Sequence, residues 1–132
     1  MKSTLKFAYV NVMFNFVGES FDLEYVSKMM KMEPASFGFE QTIRGHKETS
    51  WTIDTGKIVT LDLQDGLACL LALLSPLENT IKQIQCDLGI MTTISIEVHG
   101  GEDGIPGIWF DSRFLEFSRN INAKFVDVDL YV

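Results

Sequence analysis

The chain has 132 residues and a mass of 14.9 kDa, with 11 Lys and Arg against 18 Asp and Glu, which gives a formal net charge of −7. A chain of this size buries roughly 68% of the area that it exposes when unfolded, enough for one core without disulfides or metals. We therefore expect residues 1–132 to form a single domain. With 46% hydrophobic and 22% charged residues, the composition excludes disordered and fibrous classes.

Residues 1–18 carry two lysines before an apolar stretch but lack the pattern of a secretory signal. Asn11 and Asn15 interrupt the apolar run, no small-x-small cleavage site follows, and the alternation is typical of a strand. The longest apolar run, residues 67–74, is far shorter than the ~20 residues that span a bilayer. We expect a cytoplasmic protein without a membrane segment.

Cys69 and Cys86 each fall inside a predicted helix and outside any C-x-x-C or Cys/His cluster. Two buried free thiols in a reducing compartment are the favoured interpretation. A disulfide between the two helices is the alternative.

The N-terminal segment predicts a strand over residues 5–17 followed by a helix. Asp22 is a candidate N-cap, and Phe21 and Val26 stand at the two positions of a hydrophobic staple. The Glu33-Pro34 pair is expected to end the helix. Two strands, over residues 35–44 and 49–55, should follow and pair around a turn at residues 45–47.

Two consecutive helices are predicted in the middle of the chain. The first begins at Leu61-Asp62 and carries one apolar stripe. Residues 75–78 read as a capping box with Pro76 at the first helical position, and the second helix then runs to Gly89. We expect the two helices to pack as a hairpin. The stripe consists of Leu63, Leu67, Leu70, Leu71 and Leu74.

The C-terminal third predicts a clear strand over residues 90–98, because apolar and polar residues alternate there. A loop at 99–107, a short strand at 108–110, a helix from Asp111 or Ser112 to Asn120, and a strand at 125–132 complete the chain. The order βαββααββαβ indicates an α+β fold: a single mixed or mainly antiparallel sheet with helices packed on one face.

Six short sequence features, in their order along the chain, resemble the bacterial domain-of-unknown-function family 4279 over nearly the whole chain. Leu23 departs from the helix-starting Pro that is common in that family. The resemblance implies a small α+β domain without an established activity, and an immunity role for members near polymorphic toxin systems. The landmarks are Phe21-Asp22, Glu33-Pro34, Trp51, Ser75-Pro76-Leu77, Pro106-Gly107-Ile108 and residues 126–131.

The sequence offers little chemistry. Neither His46 nor His99 has a second His or Cys at ligand spacing, so no metal site is expected. No nucleophile elbow, phosphate loop or dinucleotide fingerprint is present. We therefore predict no catalytic residues, no cofactor and no enzyme activity. A hydrolase that pairs His99 with Glu102 or Asp103 is the least favoured function, since residues 99–104 are typical of a solvated loop.

Three other features have a structural and a functional interpretation. Asp127 and Asp129 share one face of the last strand, where acids favour solvent exposure and discourage edge pairing, although paired acids also serve catalysis. Trp51 is expected in the core, whereas Trp109 beside the loop is the better candidate for a partner anchor. One or two of Met29, Met30 and Met32 are expected on the inner face of the helix as part of the core, with an adaptable binding surface as the alternative.

The negative charge is regional. Residues 1–47 hold 6 bases and 5 acids, a net charge of 6 − 5 = +1, whereas residues 48–132 hold 5 bases and 13 acids, a net charge of 5 − 13 = −8. If the acids of residues 48–132 gather on one surface, that surface would attract a basic partner. The same acidity opposes nucleic-acid binding, which requires clustered Lys and Arg.

The leading hypothesis is a cytoplasmic immunity protein that binds and neutralises a basic toxin domain. The alternative is a non-enzymatic regulatory or small-molecule-binding domain that uses residues 100–107 as a lid. The oligomeric state is not predicted. The expected partner-binding residues are Asp54, Asp62, Asp65, Glu102, Asp103 and Trp109.

Overall fold

The computed structural model describes residues 5–41, 45 and 47–132. Within them the element order is βαβββααβαβ. The strands are β1 (Tyr9–Gly18), β2 (Ser36–Gln41), β3 (Lys47–Asp54), β4 (Ile58–Val59), β5 (Met91–His99) and β6 (Val126–Tyr131). The helices are α1 (Leu23–Met30), α2 (Leu63–Leu74), α3 (Glu78–Leu88) and α4 (Ser112–Asn120), with a 3-10 turn at Ser75–Leu77 between α2 and α3.

The strands form one mixed sheet in the order β2-β3-β1-β5-β6, with β4 paired to the start of β1. All neighbouring strands are antiparallel except β5 and β6, which are parallel and joined through α4. The predicted α+β class with a single mixed sheet is therefore confirmed.

One short strand lies elsewhere than predicted. Residues 108–110 are not a strand; the backbone there makes only an isolated bridge one residue earlier, between Gly107 and Asp62. The sixth strand is instead β4. It pairs with the first residues of β1, Tyr9 and Val10, on the side of β1 where β3 pairs with residues 13–18. The apolar pattern at 108–110 reflects exposed side chains, since Ile108 and Trp109 are 42% and 49% exposed.

All four helices pack on one face of the sheet. The inward residues of β1 alternate along the strand and are fully buried, as an amphipathic central strand requires. The α2 stripe lies directly on this strand, and α1, α3 and α4 add the rest of one continuous core. Trp51 belongs to it as predicted, with its indole N–H donating to Ser27 Oγ at 3.0 Å.

The α2 helix approaches β1 most closely at Gly66. A Cβ atom built on Gly66 would lie 2.8 Å from Val10 Cγ2 and 2.9 Å from Val12 Cγ2, closer than real Cβ atoms pack. Both valines are fully buried and β-branched, so they have little freedom to move. Gly66 is therefore required by packing, even though glycine weakens a helix interior.

Three local predictions about the helices are wrong. The α1 helix ends at Met30 rather than at Glu33-Pro34, because Lys31 takes a left-handed conformation with φ 56°. Ser75 is helical and its side chain makes no capping bond, since the chain passes from α2 directly into the 3-10 turn and leaves helical dihedral angles only at Leu77, the residue before α3. The two helices do not form a hairpin: α2 lies on β1 and α4, and α3 lies on α1.

Both cysteines are exposed free thiols, so the prediction of buried thiols is also wrong. The reason is helical periodicity. Cys69 lies two residues beyond the buried Leu67, and Cys86 two residues beyond the buried Ile84, which turns each thiol away from the core face.

The first strand begins at Tyr9, four residues later than predicted. The N-cap predicted at Asp22 is confirmed, and of the alternatives Asp111 and Ser112 the cap of α4 is Asp111. The α2 helix begins directly after its cap Asp62, at the predicted place. The predicted turn at 45–47 includes His46, which lies outside the described residues. Of the helices in the described part of the chain, none is long and apolar enough to cross a membrane.

We expect Gly66→Ala to lower the free energy of unfolding. Overpacking against Val10 and Val12 costs about 1–3 kcal/mol, more than the ~1 kcal/mol that alanine gains in helix propensity. Urea denaturation measures the difference. Ala68→Gly, at an exposed position of the same helix, reports propensity alone, and a Gly66→Ala variant more stable than the natural chain would contradict this packing.

A second prediction concerns the contact between α1 and α3. The Tyr25 hydroxyl donates to Asp87 Oδ2 at 2.5 Å, and this bond, with a smaller contribution from Gln83, lowers the pKa of the Asp87 carboxyl. Its stabilisation is present above the unfolded pKa of Asp87 and is lost as the pH falls through the lowered, folded one. In Tyr25→Phe the Asp87 pKa should rise toward its ordinary value in an NMR titration. An unchanged pKa would exclude the bond as its main cause.

Candidate functional site

The first turn of α2 holds an exposed tryptophan in a fixed position. Asp62 is the N-cap of α2, and its Oδ1 atom accepts from the Gln64 backbone N–H at 2.9 Å. The same oxygen accepts from the Trp109 indole N–H at 2.8 Å. Trp109 therefore has one end bonded to a helix cap while 49% of its surface remains exposed. The sequence pointed to both residues but not to the bond between them.

Backbone hydrogen bonds place the Trp109 segment beside α2. The Gly107 N–H donates to the Leu61 carbonyl at 2.8 Å, and the Leu63 N–H donates to the Gly107 carbonyl at 3.0 Å. This short parallel pairing fixes the chain two residues before Trp109. The indole is thus positioned by backbone as well as by its own N–H.

The turn at residues 101–104 is tied to the chain that precedes β1. Asp103 Oδ1 accepts from the Ala8 N–H at 2.8 Å, and the Glu102 N–H donates to the Leu5 carbonyl at 2.8 Å. Gly101 packs so tightly that a Cβ there would lie 2.5 Å from the Ala8 nitrogen. For residues 100–107 to move as a lid, all of these bonds would have to break.

These elements form one surface, which we call the acidic end. It combines exposed apolar side chains with carboxylates. Two contacts join its parts. The turn at residues 101–104 lies against Leu61, since a Cβ built on Gly104 would be 3.7 Å from Leu61 Cδ2. Trp109 is joined to the start of α2 by its hydrogen bond to Asp62. The acidic end consists of Leu61, Asp62, Asp65, Glu102, Asp103, Ile105, Ile108 and Trp109.

Five of the six predicted partner-binding residues lie on the acidic end, and Asp54 does not. Asp65 follows Asp62 by one turn and accepts from the Thr60 hydroxyl at 2.5 Å. Asp54 ends β3, where its Oδ1 accepts from the Gly56 N–H at 2.9 Å. Its position opposite Met13 places it on the side of the sheet without helices.

Sequence reasoning missed the role of Gln64. Its Nε2 donates to Asp111 Oδ2 at 3.0 Å, which joins the start of α2 to the start of α4. Asp111 Oδ1 caps α4 through the Phe114 N–H at 2.9 Å, as its position in the sequence indicated. Nothing in the sequence signals the Gln64 bond, because its partner lies 47 residues away.

His99 lies outside the acidic end, on the sheet face without helices. Its ring stacks between Tyr9 and Tyr131, with ring centroids 4.2 and 4.5 Å away. Its Nε2 lies 3.0 Å from Glu97 Oε1. The carboxylate beside His99 is therefore Glu97, rather than the Glu102 or Asp103 of the hydrolase hypothesis. The three stacked rings occupy one register across three strands, which sequence spacing does not reveal.

Within the described part of the chain, no three His, Cys, Asp or Glu side chains gather in an arrangement that would hold a metal ion. The carboxylates of the acidic end instead accept hydrogen bonds from backbone, hydroxyl and indole donors. The arrangement suits recognition: a fixed aromatic side chain, apolar neighbours and surrounding negative charge.

The family model "Domain of unknown function (DUF4279)" matches residues 8–132. The chain therefore belongs to this family, as the order of its sequence landmarks indicated. No curated protein and no solved structure matches the chain. The description of the family assigns no activity to its members.

We expect Asp62→Ala to release Trp109 as well as to weaken α2. Loss of an N-cap costs about 0.5–2 kcal/mol, and the indole N–H loses its acceptor. In a hydrogen-exchange NMR experiment the Trp109 indole proton should exchange faster than in the natural chain. Asp22→Ala removes the equivalent cap of α1 and should leave that proton unchanged. Equal exchange in both variants would exclude Asp62 as the residue that holds Trp109.

Proposed function

We propose that this chain is a cytoplasmic immunity protein that binds a cationic toxin domain through the acidic end and has no chemistry of its own. The observation that carries the proposal is the bond between the Trp109 indole and Asp62. Tryptophan is among the residues that dominate binding energy at protein interfaces. Here it is exposed yet already fixed, so binding does not have to pay for ordering it.

The surroundings of Trp109 match the centre and rim of a protein interface. Leu61, Ile105 and Ile108 are 42–54% exposed, which is unusual for a group of large apolar side chains at one end of a small domain. Carboxylates at the rim affect specificity and association rate more than affinity. Asp62, Asp65, Glu102 and Asp103 place four acidic residues on this one surface, which favours a cationic partner.

The charge of the whole chain favours the same kind of partner. A net charge of −7 on 132 residues raises the encounter rate with a basic protein, most strongly at low salt. A toxin that acts on nucleic acid needs a cationic site for phosphates. A negatively charged protein seated there would exclude the substrate, which explains neutralisation without catalysis.

A charge reversal at Glu102 tests the steering. Its side chain is exposed, whereas Asp62 and Asp103 hold backbone groups, so Glu102→Lys leaves the fold intact. With a cationic protein that the chain retains in a pull-down from source-cell lysate as partner, Glu102→Lys should lower the association rate several-fold at low salt. Glu19→Lys carries the same charge change at the far end of β1 and serves as the control. Equal rates for the two variants would remove the acidic end from the interface.

The anchor is tested by Trp109→Ala in the same assay. We expect at least a tenfold weaker dissociation constant, because a central tryptophan contributes ~2 kcal/mol or more. Cells that express the cationic partner should grow when they also express the natural chain and fail to grow when they express the variant. Protection retained at full affinity would contradict the proposed function.

A further inference from the structure

The sheet face without helices carries an unusual distribution of charge. Across the described strand positions of this face there is no lysine or arginine. Lys57 lies just beyond β3, with its ammonium 4.2 Å from the Tyr9 ring centroid. The carboxylates of this face are Glu40, Glu48, Asp54, Glu97, Asp127 and Asp129.

Two pairs of these carboxylates are direct cross-strand neighbours. Glu40 on β2 pairs with Glu48 on β3, and Glu97 on β5 pairs with Asp129 on β6. Like charges directly opposite each other destabilise a sheet. His99 contacts Glu97 on one side, but no cation is found beside Glu48 within the described residues. Among the described residues, the Glu40–Glu48 pair is therefore without a compensating ion pair, which a cationic side chain from outside would supply.

Protection of the sheet edge does not account for this pattern. Charged residues on an edge strand prevent unwanted pairing, and that explanation covers Asp127 and Asp129 on β6. It does not cover Glu97 on β5, which is paired with Asn11 of β1 on one side and with Asp129 of β6 on the other. The charge follows the face rather than the edge.

The centre of the face is polar and hydrogen-bonded. Asn15 Nδ2 donates to Thr93 Oγ1 and Ser95 Oγ, both at 3.1 Å, and Asn15 Oδ1 accepts from the Thr52 hydroxyl at 2.7 Å. This network lies in a depression of about 410 Å³ that also has Glu48 and Asp127 in its lining. Val17, Met91 and Phe125 also line the depression, so its polar centre has an apolar margin. Burying the hydroxyl and amide groups of this centre under an apolar layer would cost free energy.

We propose that this face, which we call the open face, docks a lysine- or arginine-rich polypeptide segment of the basic partner. The carboxylates are spread over five strands, about 19 Å at 4.8 Å per strand, too wide for one small cation to span. A segment with several cationic side chains reaches them while its backbone bonds to the central hydroxyls. The inference rests on the proposed function only for the basic character of the partner.

The test uses a fluorescein-labelled octa-arginine peptide and fluorescence polarisation at low salt. The double variant Glu48→Gln/Asp127→Asn removes two charges from the open face. Glu33→Gln/Glu116→Gln removes two exposed charges outside the open face and has the same net charge. We expect affinity to fall at least tenfold in the first variant and less than threefold in the second. Equal losses would mean attraction by net charge alone and would overturn the inference.

The like-charge pair gives a second, independent measurement. Glu48→Gln removes the repulsion with Glu40, so the free chain should have a higher Tm while its affinity for the peptide falls. An unchanged or lower Tm would show that the pair is not repulsive and would remove the basis of the inference. Trp109 and Glu102 lie on the acidic end, so their variants test the proposed function. Glu48 and Asp127 lie on the open face, so failure of one proposal is distinguished from failure of the other.

Discussion

The close approach of α2 to β1 at Gly66 is the constraint on which the rest of the structure depends. Because β1 pairs with β3, β4 and β5, the position of α2 over β1 fixes which face of the whole sheet is covered. It also fixes where α2 begins. Asp62 then lies beside the segment that follows β5, and the backbone bonds at Gly107 and the indole bond of Trp109 follow from that placement.

Covering one face only leaves the chain with two kinds of surface that have different chemistry. The acidic end combines exposed apolar side chains with carboxylates that also serve as caps and turn acceptors. The open face has a hydrogen-bonded polar centre and carboxylates that repel one another. Both surfaces retain features that cost stability in the free chain, namely exposed apolar area and like-charge pairs, and such costs are expected where binding is selected.

Local features of the sequence were the most reliable guide to this fold. The cap of α1 at Asp22, the start of α2 at Asp62 and the alternation in β5 were predicted because each depends on neighbouring residues. The misplaced short strand and the absent helix hairpin were not predicted, because distant packing decides both. The exposed thiols follow from the helical period within α2 and α3. For the site, the sequence indicated Asp62 and Trp109 separately. Their bond, and the clustering of acids on one face, arise from residues brought together by the fold.

The central claim is that the acidic end, with Trp109 at its centre, contacts a cationic protein. Hydrogen exchange on the chain, alone and in complex with the cationic protein that it retains in a pull-down from source-cell lysate, measures this most directly. Our account predicts protection of residues 61–65 and 101–109, including the Trp109 indole proton, with little change on α1 and α3. Protection confined to α1 and α3, with the Trp109 indole proton exchanging as in the free chain, would contradict it.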